Sequence, residues 1–141
     1  MQTGENLAIA ERLLEHKREL ECAFYEIEGV KHVSPPGEIL IDGFYGYGEK
    51  YGGNTCAKAV ADIDPKTAEK ISEYAYALAT TLSLRHLARI DFFFSEGEIF
   101  FNEVNTFPGF TSESLYPKML TSSGISPKNA ILSFIKDTIG C

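Results

Sequence analysis

Long apolar runs are missing from this chain, and none approaches the ~20 residues that a membrane-crossing helix needs. The start carries no charged, apolar and small-residue succession of the kind that exports a protein, so the expected location is the cytoplasm. Cysteine is scarce. Cys22, Cys56 and Cys141 are odd in number, scattered and without CxxC spacing, which suggests neither a disulfide framework nor a zinc site. His16, His32 and His86 are isolated and read as surface or packing residues rather than ligands. Basic residues are the minority, 13 Lys plus Arg against 20 Asp plus Glu, for a net charge of −7. That balance argues against nucleic acid, whose binding rests on neutralising phosphates. It leaves a nucleotide open, because magnesium can bridge acidic residues to a phosphate chain. No internal repeat, low-complexity tract, dinucleotide fingerprint or P-loop occurs. What remains is 141 residues of ordinary globular composition, enough for one domain with a core and marginal for two.

The stretch Leu87–Lys118 organises the rest. Ala88–Phe94 and Ile99–Val104 are apolar runs rich in Phe and Ile, separated by Ser-Glu-Gly-Glu, and together they predict a β-hairpin. A three-residue loop, Ser95-Glu96-Gly97, with Gly97 left-handed, is the expected turn. Arg89 then faces Glu103 and Phe93 faces Ile99. Side chains alternate along a strand, so Arg89, Asp91, Glu103 and Asn105 share one face. Ile90, Phe92, Phe94, Phe100 and Val104 share the other and can enter a core. A two-residue Glu96-Gly97 loop would shift the register and separate Asp91 from Glu103. Asp, Glu and Asn on one face make an oxygen-rich site for a hard cation, for which magnesium needs only one or two carboxylates. On spacing alone, the same pattern also fits a solvated sheet face. Asn105–Ser112 is then a turn-rich run entering a helix near Ser114, where backbone N–H groups can bind an anion.

Elsewhere, Met1–Lys17 has apolar residues at helical spacing and reads as a helix or a frayed end. Glu19–Glu26 alternates as a half-buried strand, with Leu20, Cys22 and Phe24 on one face and Glu19, Glu21 and Tyr25 on the other. Val33–Ile39 is a Pro-rich turn feeding a short strand. Gly43–Gly53, GFYGYGEKYGG, reads as a mobile loop that closes over a site. Asp64-Pro65 opens a helix whose apolar stripe is Ile71, Tyr74, Ala75, Leu78 and Leu82. Ser126-Pro127 opens another, with Ile131, Leu132, Ile135 and Ile139 as its apolar residues and Gly140 as its end.

The run ARIDFFF…FFNEVNTFPGFTSESLYPKM resembles the C-terminal signature of the D-alanine–D-alanine ligases, in the ATP-grasp superfamily. Arg18–Ala23 is similar to that family's R-E-[IL]-E-x-A motif, Ser34–Ile39 to its S-x-P-G-E-I, and Phe44–Tyr51 to its F-Y-D-Y-E-x-K-Y loop. The resemblance implies an α+β fold: an ATP-grasp C-terminal subdomain over residues 1–141, an antiparallel sheet covered by helices. It implies ATP as substrate and Mg2+ held by Asp91, Glu103 and Asn105. Arg89 and the Gly109 N–H would stabilise an oxyanion, Glu19 would bind the ribose, and Lys50 would meet the phosphoryl group. Tyr51 would help select an amine nucleophile. Ser114 and the Leu115 N–H would hold the second substrate's carboxylate. Gly46 and Gly48 stand where the family has acidic residues, and Arg85 and His86 where it has small ones.

The similarity runs from Arg18 to the end and matches only the C-terminal part of the family's enzyme. The N-terminal domain and the section supplying ATP-binding lysines have no counterpart here. The implied function is that of a D-alanine–D-alanine ligase C-terminal domain, serving peptidoglycan precursor synthesis and inactive as an isolated chain. The alternatives are a non-catalytic magnesium-nucleotide module, or half of a split ligase with self-association or a separate N-terminal half as partner.

Overall fold

The computed structural model describes residues 13–40 and 56–140. Among them, β1 (Arg18–Ile27) runs through the middle of an antiparallel sheet. On one side lie β2 (Val30–Val33) and β3 (Gly37–Leu40), with β4 (Cys56–Lys58) beyond β3. On the other lie β5 (Leu87–Ser95) and, at the edge, β6 (Glu98–Asn105). Helices α1 (Pro65–Thr81), α2 (Leu115–Ser122) and α3 (Pro127–Ile139) cover the sheet. The α+β arrangement expected from the sequence is therefore the one observed. Of the sequence expectations, most of the helical pattern in Met1–Lys17 and the whole Gly43–Gly53 loop lie outside the described residues; Leu13 and Leu14 are not helical.

The alternation in β1 is real, but the strand is not half-buried. Leu20, Cys22 and Phe24 pack under α1 with Ile71, Ala75 and Ala79. Ala23 and Tyr25, on the opposite face, pack under α2 and α3 with Tyr116, Met119, Ala130 and Phe134. A strand paired on both edges, with α1 on one face and α2 and α3 over half of the other, loses most of its wet side, and even Glu21, outside the helices' cover but between neighbouring strands, is buried.

Asp64 caps α1 as its position suggests, its Oδ1 accepting from the Thr67 N–H at 3.0 Å, with Pro65 in the first turn. The buried stripe is narrower than expected. Ile71, Ala75 and Ala79 face the sheet, while Tyr74 and Leu82 are exposed. In α3 the inward residues are Ala130 and Phe134, and Ile131, Leu132, Ile135 and Ile139 stay exposed. Gly140 ends that helix in the left-handed conformation, φ 70°.

The prolines between β2 and β3 interrupt the ladder beside Ala23. Ser34 repairs the gap: its Oγ accepts the Ala23 N–H at 2.9 Å and its own N–H donates to Ala23 O at 2.9 Å. Just beyond, Gly37 lies where a Cβ would come within 3.0 Å of both the Lys58 carbonyl and Met119 Sδ. Gly37→Ala should therefore lower stability by about 1–3 kcal/mol, through overpacking between β4 and α2. A denaturation midpoint unchanged from the parent would show that these neighbours give way freely.

Candidate active site

The hairpin forms as expected, but by a different route. Ser95 pairs with Glu98, closing a two-residue loop of Glu96 (φ 52°) and Gly97 (φ 82°). Two residues at positive φ match the twist of paired strands better than the three-residue loop expected. Phe94 thus faces Ile99, and Phe93 faces Phe100, so Phe100 leaves the core face while Ile99 joins it. A bulge then intervenes. Phe92 pairs with Phe101 but Asp91 pairs with Glu103, leaving Asn102 as the extra residue. The shorter loop and the bulge shift the pairing in the same direction, so Arg89 does not face Glu103 as expected, but together they return Glu103 and Asn105 to the face of Arg89 and Asp91. Asp91 and Glu103 stand directly opposed, and Arg89 opposes Asn105.

One sheet face is consequently divided. Along β1 it carries Glu19 and Glu21, then Ala23 and Tyr25, and the last two lie under α2 and α3. Asp91 pairs with Glu21 and Glu103, which continues the uncovered polar half across three strands. The apolar groove lined by Tyr74, Leu78, Phe92 and Phe101 belongs to the opposite, α1 face and has no charged side chain in its lining.

Arg89 sits at the centre of the polar half. Its Nε–H donates to Asp91 Oδ1 at 2.8 Å and its Nη2–H to Oδ2 at 2.7 Å, a bidentate clamp. Glu21 Oε2 lies 3.4 Å from Nε, is buried, and has no hydrogen-bond partner among the described residues. The hydrogen bonds to Asp91 raise the guanidinium pKa above its ordinary value despite burial, so Arg89 is a fixed cation. Burial pushes the Glu21 carboxyl up to about 7; Arg89 opposes this, while Asp91, Glu19 and Glu103 reinforce it.

That shift carries a stability consequence. Folding raises the Glu21 pKa from its ordinary 4.5 to about 7, so there is no penalty in acid, where both states are protonated; the penalty grows as pH rises from about 4.5 and is complete above about 7. Glu21→Gln keeps the shape and removes the charge. It should exceed the parent in stability by up to about 3 kcal/mol above neutral pH, and converge with it in acid. Denaturation midpoints measured across that range decide the matter; parallel profiles for the two chains would remove burial of charge as the cause.

The remaining candidates line the same region. Glu19 has Lys17 Nζ 3.6 Å from its Oε1. Glu103 is exposed on the edge strand, with no ion pair or hydrogen bond among the described residues. Asn105 Oδ1 accepts the Phe107 N–H at 3.0 Å, which sets the first turn of the following loop. Ser114 stands at the N-cap of α2 but does not cap it. Its Oγ turns back to accept the Thr111 N–H at 3.2 Å and pairs with Thr111 Oγ1 at 2.9 Å. The first-turn amides of α2, Leu115 among them, therefore receive no side-chain cap. Gly109 packs against this turn so closely that a Cβ would come within 2.8 Å of Ser114 Oγ. Lys50 and Tyr51 lie outside the described residues.

Among the described residues no three His, Cys, Asp or Glu side chains form a self-sufficient metal cage. The donor set still fits magnesium, which takes one or two carboxylates and completes its shell with water and phosphate oxygens. Asp91 and Glu103 are directly opposed, and Asn105 keeps a second lone pair on Oδ1. Glu21 is the site residue that sequence reasoning missed. Alternation placed it beside Glu19, but its burial against Arg89 follows only from the pairing of β1 with β5.

The family described as D-ala D-ala ligase C-terminus matches residues 2–136. A D-alanine–D-alanine ligase of Shewanella piezotolerans is 44% identical over 126 residues, covering 86% of this chain and 38% of that protein. The crystal structure of D-alanyl-alanine synthetase A from Vibrio cholerae superposes with a TM-score of 0.79 at 38% identity, over 88% of this chain and 39% of that one. VanG D-Ala:D-Ser ligase from Enterococcus faecalis superposes with a TM-score of 0.69 at 36% identity, over 84% of this chain and 35% of that one. The chain thus spans well under half the length of these relatives. With the signature hairpin, the loop after it and nearly the whole sequence matching, this chain belongs to the D-Ala-D-Ala ligase C-terminal family.

Proposed function

We propose that this chain supplies the phosphoryl-transfer and acceptor-binding half of an ATP-dependent D-alanine–D-alanine ligase. The observation that carries the reading is the gathering of Arg89, Asp91, Glu103 and Asn105 on one open sheet face, beside an uncapped helix N-terminus. In such a reaction the carboxylate of one D-alanine attacks the γ-phosphorus of ATP, giving an acyl phosphate and ADP. The amine of a second D-alanine then attacks the acyl carbon, and phosphate leaves. Asp91, Glu103 and Asn105 would hold Mg2+, which when bound neutralises charge on the phosphate oxygens. Arg89 and the Gly109 N–H would donate to the oxyanion of the tetrahedral intermediate. The Leu115 N–H and Ser114 would hold the acceptor's carboxylate at the start of α2. Glu19, on the same face, would take the ribose hydroxyls, and Lys50 and Tyr51 would meet the phosphoryl group and the amine.

A second reading has a separate N-terminal half complete the site; this chain covers 38% of the Shewanella ligase. Rate depends on holding both reactants in attack geometry, and the roles assigned above place the acceptor and the phosphate oxygens but not the first D-alanine. The test is D-alanine-dependent phosphate release from ATP, with the chain alone and with the N-terminal part of a relative added. The chain alone should fold and release no more phosphate than its Glu103→Gln variant, and the mixture should turn over. Silence in both would refute the catalytic reading and leave a non-catalytic nucleotide-binding module.

A further inference from the structure

Two carboxylates on the site face have a claim on one guanidinium. Asp91 holds Arg89 with both oxygens, at 2.8 and 2.7 Å. Glu21, the Cα partner of Asp91 across the β1–β5 pair, brings Oε2 to 3.4 Å from Arg89 Nε without a hydrogen bond. Glu21 is only 3% exposed. A buried carboxylate oxygen without a donor is unfavourable and calls for a reason, which another state of the site can supply. Asp91 meanwhile has a conflict of its own. An oxygen engaged in the bidentate clamp is poorly placed to ligate a cation, so the clamp and cation binding at Asp91 compete.

We propose that Glu21 is a positioning residue: a second dock that accepts Arg89 when Asp91 is given over to a divalent cation. This rests on the reading of Asp91 as a metal ligand. The move is short, since Nε already lies 3.4 Å from Glu21 Oε2 and β1 and β5 are adjacent strands. Five N–H donors on the guanidinium allow Arg89 to bind Glu21 and still present hydrogens to the open face. Glu21 thereby frees the metal ligand, answers its own unpaired oxygen, and keeps the cation Arg89 in the site.

The test is Mn2+ affinity, followed by electron paramagnetic resonance, in the chain and its Glu21→Gln, Arg89→Gln, doubly substituted and Glu103→Gln variants. Circular dichroism establishes that each is folded. Glu21→Gln should weaken Mn2+ about tenfold, as loss of a partner behind a metal ligand does. In the Arg89→Gln background the same substitution should have no effect, because the competitor for Asp91 is gone. Equal weakening in both backgrounds overturns the proposal, since Glu21 would then act by charge alone; so does an unchanged affinity in Glu21→Gln. Failure of the metal reading is distinguishable: Mn2+ would bind Glu103→Gln as tightly as the parent, or would not bind the parent at all. Either result removes the proposal together with that reading.

Discussion

Glu103→Gln is expected to cut turnover by the complemented ligase by at least about 100-fold, as removal of one key electrostatic group does. The Glu103 side chain is exposed on the edge strand and makes no hydrogen bond or ion pair among the described residues, so no direct contact there is lost with its charge. The amide keeps the volume and one oxygen. It loses the charge that faces Asp91 across the hairpin, and with it half the carboxylate complement of the proposed cation site. Phosphate release under saturating ATP and D-alanine measures the effect, with thermal unfolding as the control. A variant turning over at the parent's rate would show that the cation, if needed, is held elsewhere. A variant that loses both rate and unfolding temperature would place Glu103 among structural residues instead.

Gly109→Ala is expected to cost a comparable factor, about 100-fold, by displacement rather than by charge. Its new methyl would meet Ser114 Oγ at 2.8 Å, closer than real contacts allow. Relief requires Ser114 Oγ to rotate away, which gives up its bonds to Thr111 and with them the turn before α2, or the loop to lift from the start of α2. The loss should fall on the step using the second D-alanine, so acyl-phosphate-dependent exchange should survive better than dipeptide formation. Removing the clash from the other side separates the causes. If contact with Ser114 is responsible, adding Ser114→Ala to Gly109→Ala should recover part of the rate. A double variant worse than either single one would mean that Gly109 is required for its backbone alone.

Much of this arrangement is determined by local sequence. Two Phe- and Ile-rich runs around Ser-Glu-Gly-Glu make the hairpin, Asp64-Pro65 starts α1, and Gly140 ends α3, because strand propensity, capping and left-handed turns act within a few residues. That Arg89 shares a face with Asp91, and Glu103 with Asn105, follows from the period of two. Bringing the two pairs to one face, however, depended on a shorter loop and a bulge at Asn102, each of which alone would have put them on opposite faces, and alternation alone cannot see such a pair of shifts. Which stripe of an amphipathic helix faces inward was likewise decided by packing. In α3, Ala130 and Phe134 fit the surface around Tyr25, and the larger aliphatic set was left outside. The burial of Glu21 needed most of the fold at once. Only when β1 lies between β5 and the β2–β3 pair does a carboxylate in an alternating strand lose its water to neighbouring side chains and come to rest beside Arg89.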